Sequence, residues 1–120
     1  MMEEDIERLL MEAQRSRYSE RRTEPRHPFV RPVVAYVRDL PACHGFSKDV
    51  SSVGMGFISV EQFAPRTLAI LQIHSMQGVP VFLKAEARWS DAFGKGWYLT
   101  GWKFLSSAAP PAEYLRNPRG

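Results

Sequence analysis

The sequence has little of what marks a secreted or membrane-spanning protein. Its 120 residues include one cysteine, Cys43, so no disulfide can form within the chain. No apolar run approaches the roughly 18 residues of a membrane-spanning helix. The first residues are acidic, unlike the apolar segment of a signal peptide. We therefore expect a cytoplasmic protein with no membrane span.

The chain also lacks the spacing patterns of common metal and catalytic sites. Cys43 is followed directly by His44 and the other histidines are scattered, which is not the spacing of metal ligands. Ser51 and Ser52 do not lie in a G-x-S-x-G nucleophile motif. The sequence therefore predicts a protein that is not an enzyme and that holds no metal or cofactor.

What is present favours one folded β domain. Hydrophobic residues make up 44% of the chain, which argues for a packed core and against disorder, while eight Gly and nine Pro suit a turn-rich fold. Six segments with strand character follow one another without intervening helices, which predicts an antiparallel barrel or sandwich. These segments are 33–38, 44–50, 55–60, 68–74, 79–89 and 97–105.

The clearest strand signal lies in residues 79–89. Val, Leu, Ala and Trp alternate there with other residues at a period of two, which predicts a strand with one buried face. On the same reasoning, most of the three tryptophans, Trp89, Trp97 and Trp102, are expected in the barrel core.

Helical patterns occur only near the two ends of the chain. Residues 3–17 predict an amphipathic helix with acidic residues at its start and arginines at its end. Its short apolar stripe can pack on the barrel, on a second copy of the chain or on another protein. Residues 112–116, after two prolines, predict a short helical turn. The apolar stripe consists of Ile6, Leu9, Leu10 and Ala13.

Between the first helix and the first strand lies a basic segment, 19–32, whose prolines predict a loop. Residues 19–38 contain five Arg and two Glu, so their excess of three equals the net charge of the whole chain, +3. Such a local excess fits a compact anion better than a long polyanion. The predicted parts are a helical segment 1–18, a basic arm 19–32, a barrel 33–106 and a tail 107–120.

Two polar motifs stand on either side of the first predicted strand. The first is RRxxxR, formed by Arg21, Arg22 and Arg26, whose planar donor forks suit phosphates and guanine. The second is DxSxxGxG in residues 49–56, which combines an acceptor, a hydroxyl and glycines near a turn. Together they predict a site for an anionic ligand that carries a purine.

This pair of motifs resembles the signature of the PilZ domain family. The resemblance extends from about Arg21 to Leu105 and includes residues 98–104, which look like the family's closing strand. It implies a small six-stranded β-barrel. It also implies binding of cyclic di-GMP, a bacterial second messenger that many members of the family recognise.

The resemblance implies that the arginines of the first motif bind the ligand. Arg22 and Arg26 match the RxxxR of the family and would bind the phosphates and the guanine face or edge. Arg21 adds a third donor fork, which could hold a second, stacked ligand molecule. Without a ligand, the same residues would form a solvated basic loop.

The second motif supplies the remaining candidate site residues. Asp49 would accept the N1–H and N2–H₂ donors of guanine, and Ser51 would bridge ligand and backbone. Both can also stabilise a turn through local hydrogen bonds. Gly54 fits the motif and is expected to serve ligand and turn, whereas Gly56 is expected at a bulge or a positive-φ turn.

The sequence thus predicts a cyclic di-GMP receptor that orders its arm on the ligand and relays the signal to a protein partner. One alternative is a PilZ-fold interaction module that binds no nucleotide. The other is a small barrel that binds single-stranded nucleic acid, although the localised charge argues against a polymeric nucleic acid. The N-terminal helix could also support a homo-oligomer.

Overall fold

The chain folds into a closed antiparallel β-barrel with a helix before it and a helix after it. The computed structural model describes residues 2–16, 27–76 and 78–116. Arg21, Arg22 and Arg26 of the predicted arm lie outside the described residues. The elements in chain order are α1 (Met2–Ser16), β1 (His27–Pro28), β2 (Pro32–Tyr36), β3 (Cys43–Val50), β4 (Gly54–Ser59), β5 (Leu68–Ile73), β6 (Val81–Ala92), β7 (Tyr98–Ser107) and α2 (Ala112–Arg116).

The barrel closes because β3 pairs with β4 as well as with β2. From β2 the sheet continues through β5, β6 and β7 to β4, and every pairing is antiparallel. The strands β2 to β7 confirm the predicted six-stranded antiparallel barrel. Within the described residues, β1 is a seventh, two-residue strand that pairs with the end of β3.

The structure differs from the predicted loop over 19–32 at its C-terminal end. Pro28 lies in β1 and Pro32 begins β2, although prolines were expected to keep this segment out of the sheet. A proline is tolerated in an edge strand or at the first residue of a strand, since no ladder bond then depends on its missing N–H. Phe29 N donates to Lys48 O at 3.1 Å and Ser47 N to Arg31 O at 2.9 Å, which ties the segment to β3.

The core is formed by the inward faces of the strands together with one side of α1. The alternation predicted for 79–89 is confirmed over 81–87, since Val81, Leu83, Ala85 and Ala87 are all buried, whereas Val79 lies before β6 and is exposed. Leu9 of α1 is completely buried, and the helix contacts β1, β3 and β7. The stripe of α1 therefore packs on the barrel, which was one of the three options that the sequence left open.

The prediction that most tryptophans lie in the core was wrong. Trp102 is 2% exposed, but Trp89 is 38% and Trp97 is 42% exposed. The register of β6 against β7 shifts between Ala87 and Trp89, so the period of two breaks and Trp89 faces outward. Trp97 lies before β7 starts, at the exposed β6–β7 turn.

The helix α2 confirms the predicted helical turn and covers part of the outer surface. Tyr114 packs edge-on against Phe82 of β6 with ring centroids 4.9 Å apart. Beside it, the Tyr36 hydroxyl donates to Gln72 Oε1 at 2.5 Å, and Gln72 Nε2 lies 3.1 Å from His74 Nε2. In the described part of the chain, neither helix is long and apolar enough to cross a membrane.

Candidate ligand-binding site

The DxSxxG motif forms the tight connection between β3 and β4. Ser51 N donates to Gly54 O at 2.8 Å, and Val53 N donates to Ser51 Oγ at 3.3 Å. The Ser51 hydroxyl is buried and also lies 3.4 Å from Gly54 O. The side chain of Ser51 therefore stabilises this turn, and its contact with a ligand stays a prediction.

Gly54 is required by the close approach of two strands. A Cβ atom at this position would lie 2.0 Å from the carbonyl oxygen of Trp102 on β7, which is too close for any side chain. Its φ angle is not positive, so this glycine is needed for space and not for an unusual backbone conformation.

Asp49 lies at the outer surface of the barrel, held by the neighbouring strand. Its Oδ1 accepts a hydrogen bond from Gly56 N at 3.0 Å, and its Oδ2 lies 3.5 Å from Lys48 Nζ. The side chain is 17% exposed. A Cβ atom on Gly56 would come within 2.9 Å of Oδ1, so Gly56 makes room for the carboxylate.

Gly56 was expected at a bulge or at a turn with positive φ. It lies opposite a bulge but has no positive φ. It belongs to the regular part of β4. The irregularity lies on the opposite strand, where the register shifts between Ser47 and Asp49 and leaves Lys48 as an extra residue. This bulge places Asp49 on the outer face, directly across from Gly56.

Asp49 is the first of four cross-strand neighbours that we call the glycine row: Asp49, Gly56, Gly101 and Trp89. The row crosses β3, β4, β7 and β6, a width of about 14 Å at three strand spacings. A Cβ atom on Gly101 would lie 2.4 Å from Trp89 Cε2, so the indole covers Gly101. Only the two end residues of the row carry side chains, a carboxylate and an indole, and the side chain of Leu99 also approaches Gly56.

From the sequence, Trp89 was assigned to the barrel core and not to the candidate site. The bulge that turns it outward has no signature in the sequence, because it depends on how β6 pairs with β7. A weak signal did exist in Gly101, since a glycine inside a strand often marks the close approach of another group. Here that group is the indole of Trp89.

The chain enters the described part of β1 directly beside the motif. Pro28 pairs with Asp49 and His27 with Val50, so the residue that follows Arg26 in the sequence lies next to the end of β3. Ser47 fixes this segment, because its hydroxyl donates to the carbonyl of Phe29 and accepts from Arg31 N at 3.0 Å. The structure thereby brings the C-terminal end of the basic arm to the second motif.

Side chains of both charges surround the glycine row, and Glu86 and Asp91 of β6 supply carboxylates. Lys48, Arg88 and Lys103 are exposed on the strands that carry the row. Arg88 Nη1 lies 3.7 Å from Glu86 Oε1, an ion pair open to solvent. The described residues contain no group of three or more His, Cys, Asp and Glu side chains that could hold a metal ion.

Comparison with known families identifies the family of this chain. The family model of the PilZ domain matches residues 20–117, which include Arg21 to Arg26 and the whole barrel. The chain belongs to the PilZ domain family. PilZ domains bind cyclic di-GMP or act as adaptors, so this chain is a binding or adaptor domain. No curated protein gives a significant match to it.

Proposed function

We propose that this PilZ domain is a receptor for cyclic di-GMP that relays the presence of the ligand to a protein partner. The observation that carries the proposal is the position of Asp49. It stands at one end of the glycine row, beside the strand through which the arginine arm joins the barrel. Both sequence motifs of the predicted site can therefore reach one ligand.

Asp49 suits the Watson–Crick edge of guanine. That edge presents two neighbouring N–H donors, and an ionised carboxylate only accepts hydrogen bonds. The bond from Gly56 N to Oδ1 fixes the orientation of the carboxylate before any ligand arrives. A group held in place in this way loses less conformational entropy on binding, which favours affinity.

Trp89 offers a surface for the planar part of the ligand. One side of its indole lies against Gly101, and 38% of Trp89 is still exposed to solvent. Stacking of a nucleic-acid base on an aromatic side chain contributes about 1–3 kcal/mol. A ligand with two guanines can use the carboxylate and the indole together.

The arginines Arg21, Arg22 and Arg26 would contribute positive charge at the phosphates. Arg26 precedes Pro28 by two residues, so covalent geometry keeps their Cα atoms within about 7.6 Å. Pro28 is itself the partner of Asp49 across the β1–β3 ladder. An arm anchored there would close over a ligand on the glycine row and become ordered on binding.

The relay would pass through α1. This helix contacts β1, the strand that directly follows the arm, and its Leu9 is buried in the barrel. A change at the arm would alter the packing of α1 and the surface offered to a partner. A homo-oligomer through α1 and a cytoplasmic location remain predictions of the same proposal.

Titration calorimetry with cyclic di-GMP tests the proposal, since it returns affinity and stoichiometry together. We expect binding of cyclic di-GMP at moderate salt and little heat with GTP. No binding at ligand concentrations far above that of the protein would reject the receptor and favour the interaction module. Binding of oligonucleotides in place of the cyclic dinucleotide would favour the nucleic-acid barrel.

If the arm holds a stacked pair of ligands, the ratio will be about two per protein and Arg21→Leu will shift it towards one. A ratio of one in the unmodified protein would reject the stacked pair but not the receptor.

A further inference from the structure

A groove of about 450 Å³ adjoins the glycine row on the side away from Asp49. Its floor and walls come from the DxSxxG turn and from β6 and β7. Its lining includes Val53, Gly54, Arg88, Trp89, Gly101 and Lys103. The groove therefore shares Gly54 with the sequence motif and Trp89 with the glycine row.

Two glycines and one bulge create this groove. Gly54 and Gly101 place no side chains between Val53 and Trp89. The register shift before Trp89 makes Arg88 the extra residue of β6, and both consecutive side chains are exposed. A regular strand would send Arg88 and Trp89 to opposite faces of the sheet. The bulge thus presents a cation and an aromatic ring side by side.

Two cations, Arg88 and Lys103, line the groove, and the carboxylate of Glu86 lies outside it on the neighbouring part of β6. Glu86 pairs with Lys103 across the β6–β7 ladder and lies 3.7 Å from the guanidinium of Arg88. Arg88 is 55% exposed in its side chain, so this ion pair is weak and can be exchanged for a stronger anion. A phosphate offers Arg88 a bidentate contact and attracts Lys103 as a point charge.

We propose that this groove is a second subsite, which binds a phosphate and the base of the half of cyclic di-GMP that Asp49 does not reach. In it, Arg88 and Lys103 hold the phosphate and the base stacks on Trp89. The inference rests on the proposed receptor function. It assigns the selectivity for a dinucleotide over a mononucleotide to Arg88, Trp89 and Lys103, which lie outside both sequence motifs.

The test compares variants of the full chain by calorimetry with cyclic di-GMP. We expect the double variant Arg88→Ala/Lys103→Ala to bind at least about tenfold more weakly, since bonds to charged groups are strong. Glu86→Gln should bind a few-fold more tightly, because it removes the carboxylate that competes with the phosphate. Lys84→Ala is the matched control, since it removes an exposed cation from the same strand outside this groove.

The groove also predicts a spectroscopic change, because a base stacked on Trp89 quenches its fluorescence. Trp89→Phe should lose this ligand-dependent change, whereas Trp97→Phe should keep it. Unchanged affinity in the double variant, or an equal loss in Lys84→Ala, would overturn the subsite while the receptor function stands. Failure of the unmodified protein to bind cyclic di-GMP would reject the receptor function, and the subsite with it.

Discussion

Two outer faces of the same barrel are built in opposite ways. On the face covered by α2, contacts are made between side chains: Tyr114 packs on Phe82, and Tyr36, Gln72 and His74 form a connected polar network. On the face of the glycine row, Gly56 and Gly101 have no side chains of their own, so the Asp49 carboxylate and the Trp89 indole lie directly against the strands. The first arrangement depends on contacts between side chains, and the second on glycines that let a carboxylate and an indole approach the backbone closely.

Substitutions of the glycines on this second face should fall into two kinds, depending on whether the new methyl meets backbone or a side chain, and the first kind has the largest expected effect. In Gly54→Ala the new methyl would lie 2.0 Å from a backbone carbonyl, so β4 and β7 must separate. We expect a loss of about 3 kcal/mol in the free energy of unfolding, at the upper end for overpacking. Urea denaturation measures this loss.

Gly101→Ala is the matched comparison, because its methyl would meet the indole of Trp89 and not the backbone. The exposed ring can move outward, so the loss of stability should be smaller, about 1 kcal/mol. Binding of cyclic di-GMP should nevertheless weaken, since the stacking surface is displaced. Equal stability losses in the two variants would show that Trp89 is held as firmly as the backbone.

The arm should contribute to binding without contributing to the stability of the barrel. Arg22→Ala or Arg26→Ala should each weaken binding of cyclic di-GMP by about 1.5–3 kcal/mol, the range for a hydrogen bond to a charged group. Calorimetry measures the affinity, and thermal unfolding without ligand should hardly change. Normal binding in either variant would assign that arginine to a solvated loop.

At Asp49 the two roles of one side chain can be separated. Asp49→Asn keeps the size of the side chain but replaces an acceptor oxygen with a donor, so guanine binding should fall about tenfold with little loss of stability. Asp49→Ala also removes the acceptor for Gly56 N and should cost about 1 kcal/mol of stability. If the Asp and Asn proteins bind equally well, the carboxylate has no role in recognition.

The contrast between the faces also explains which features the sequence could predict. The buried side of β6 from Val81 to Ala87 followed from its alternation, because one face of this part of the strand packs on the core. The outward turn of Trp89 did not, because it depends on the register of β6 against β7. The same holds for the bulge at Lys48 that sets Asp49 beside Gly56.

The sequence motifs therefore predicted one part of the candidate site, and the pairing between strands determines the other part. Asp49, Ser51 and Gly54 were found from their spacing along one turn. The pairing of Asp49 with Trp89 across four strands joins residues 40 positions apart, and no local pattern reports such a pair. Likewise, Pro28 was interpreted as part of a loop. Its position at the edge of the sheet depends on tertiary pairing with β3, which the local sequence does not show.

The smallest expected effect lies on the α2 face and should leave binding untouched. Tyr36→Phe removes the hydroxyl that donates to buried Gln72 and should lower stability by about 1 kcal/mol without changing the affinity for cyclic di-GMP. Burial raises the pKa of Tyr36, and the nearby Glu113 and Tyr114 raise it further. As the pH rises, Tyr36 therefore ionises at a lower pH in the unfolded chain than in the folded protein.

The stability from Tyr36 is then fully present below the ordinary tyrosine pKa of about 10 and falls as the pH rises from there through the raised value. Denaturation curves at a series of alkaline pH values should show a steeper loss for the unmodified protein than for Tyr36→Phe. The other tyrosines titrate in both proteins and cancel in the difference. Parallel curves would mean that the hydroxyl is already accessible to water, and a change in ligand affinity would mean that the two faces are coupled.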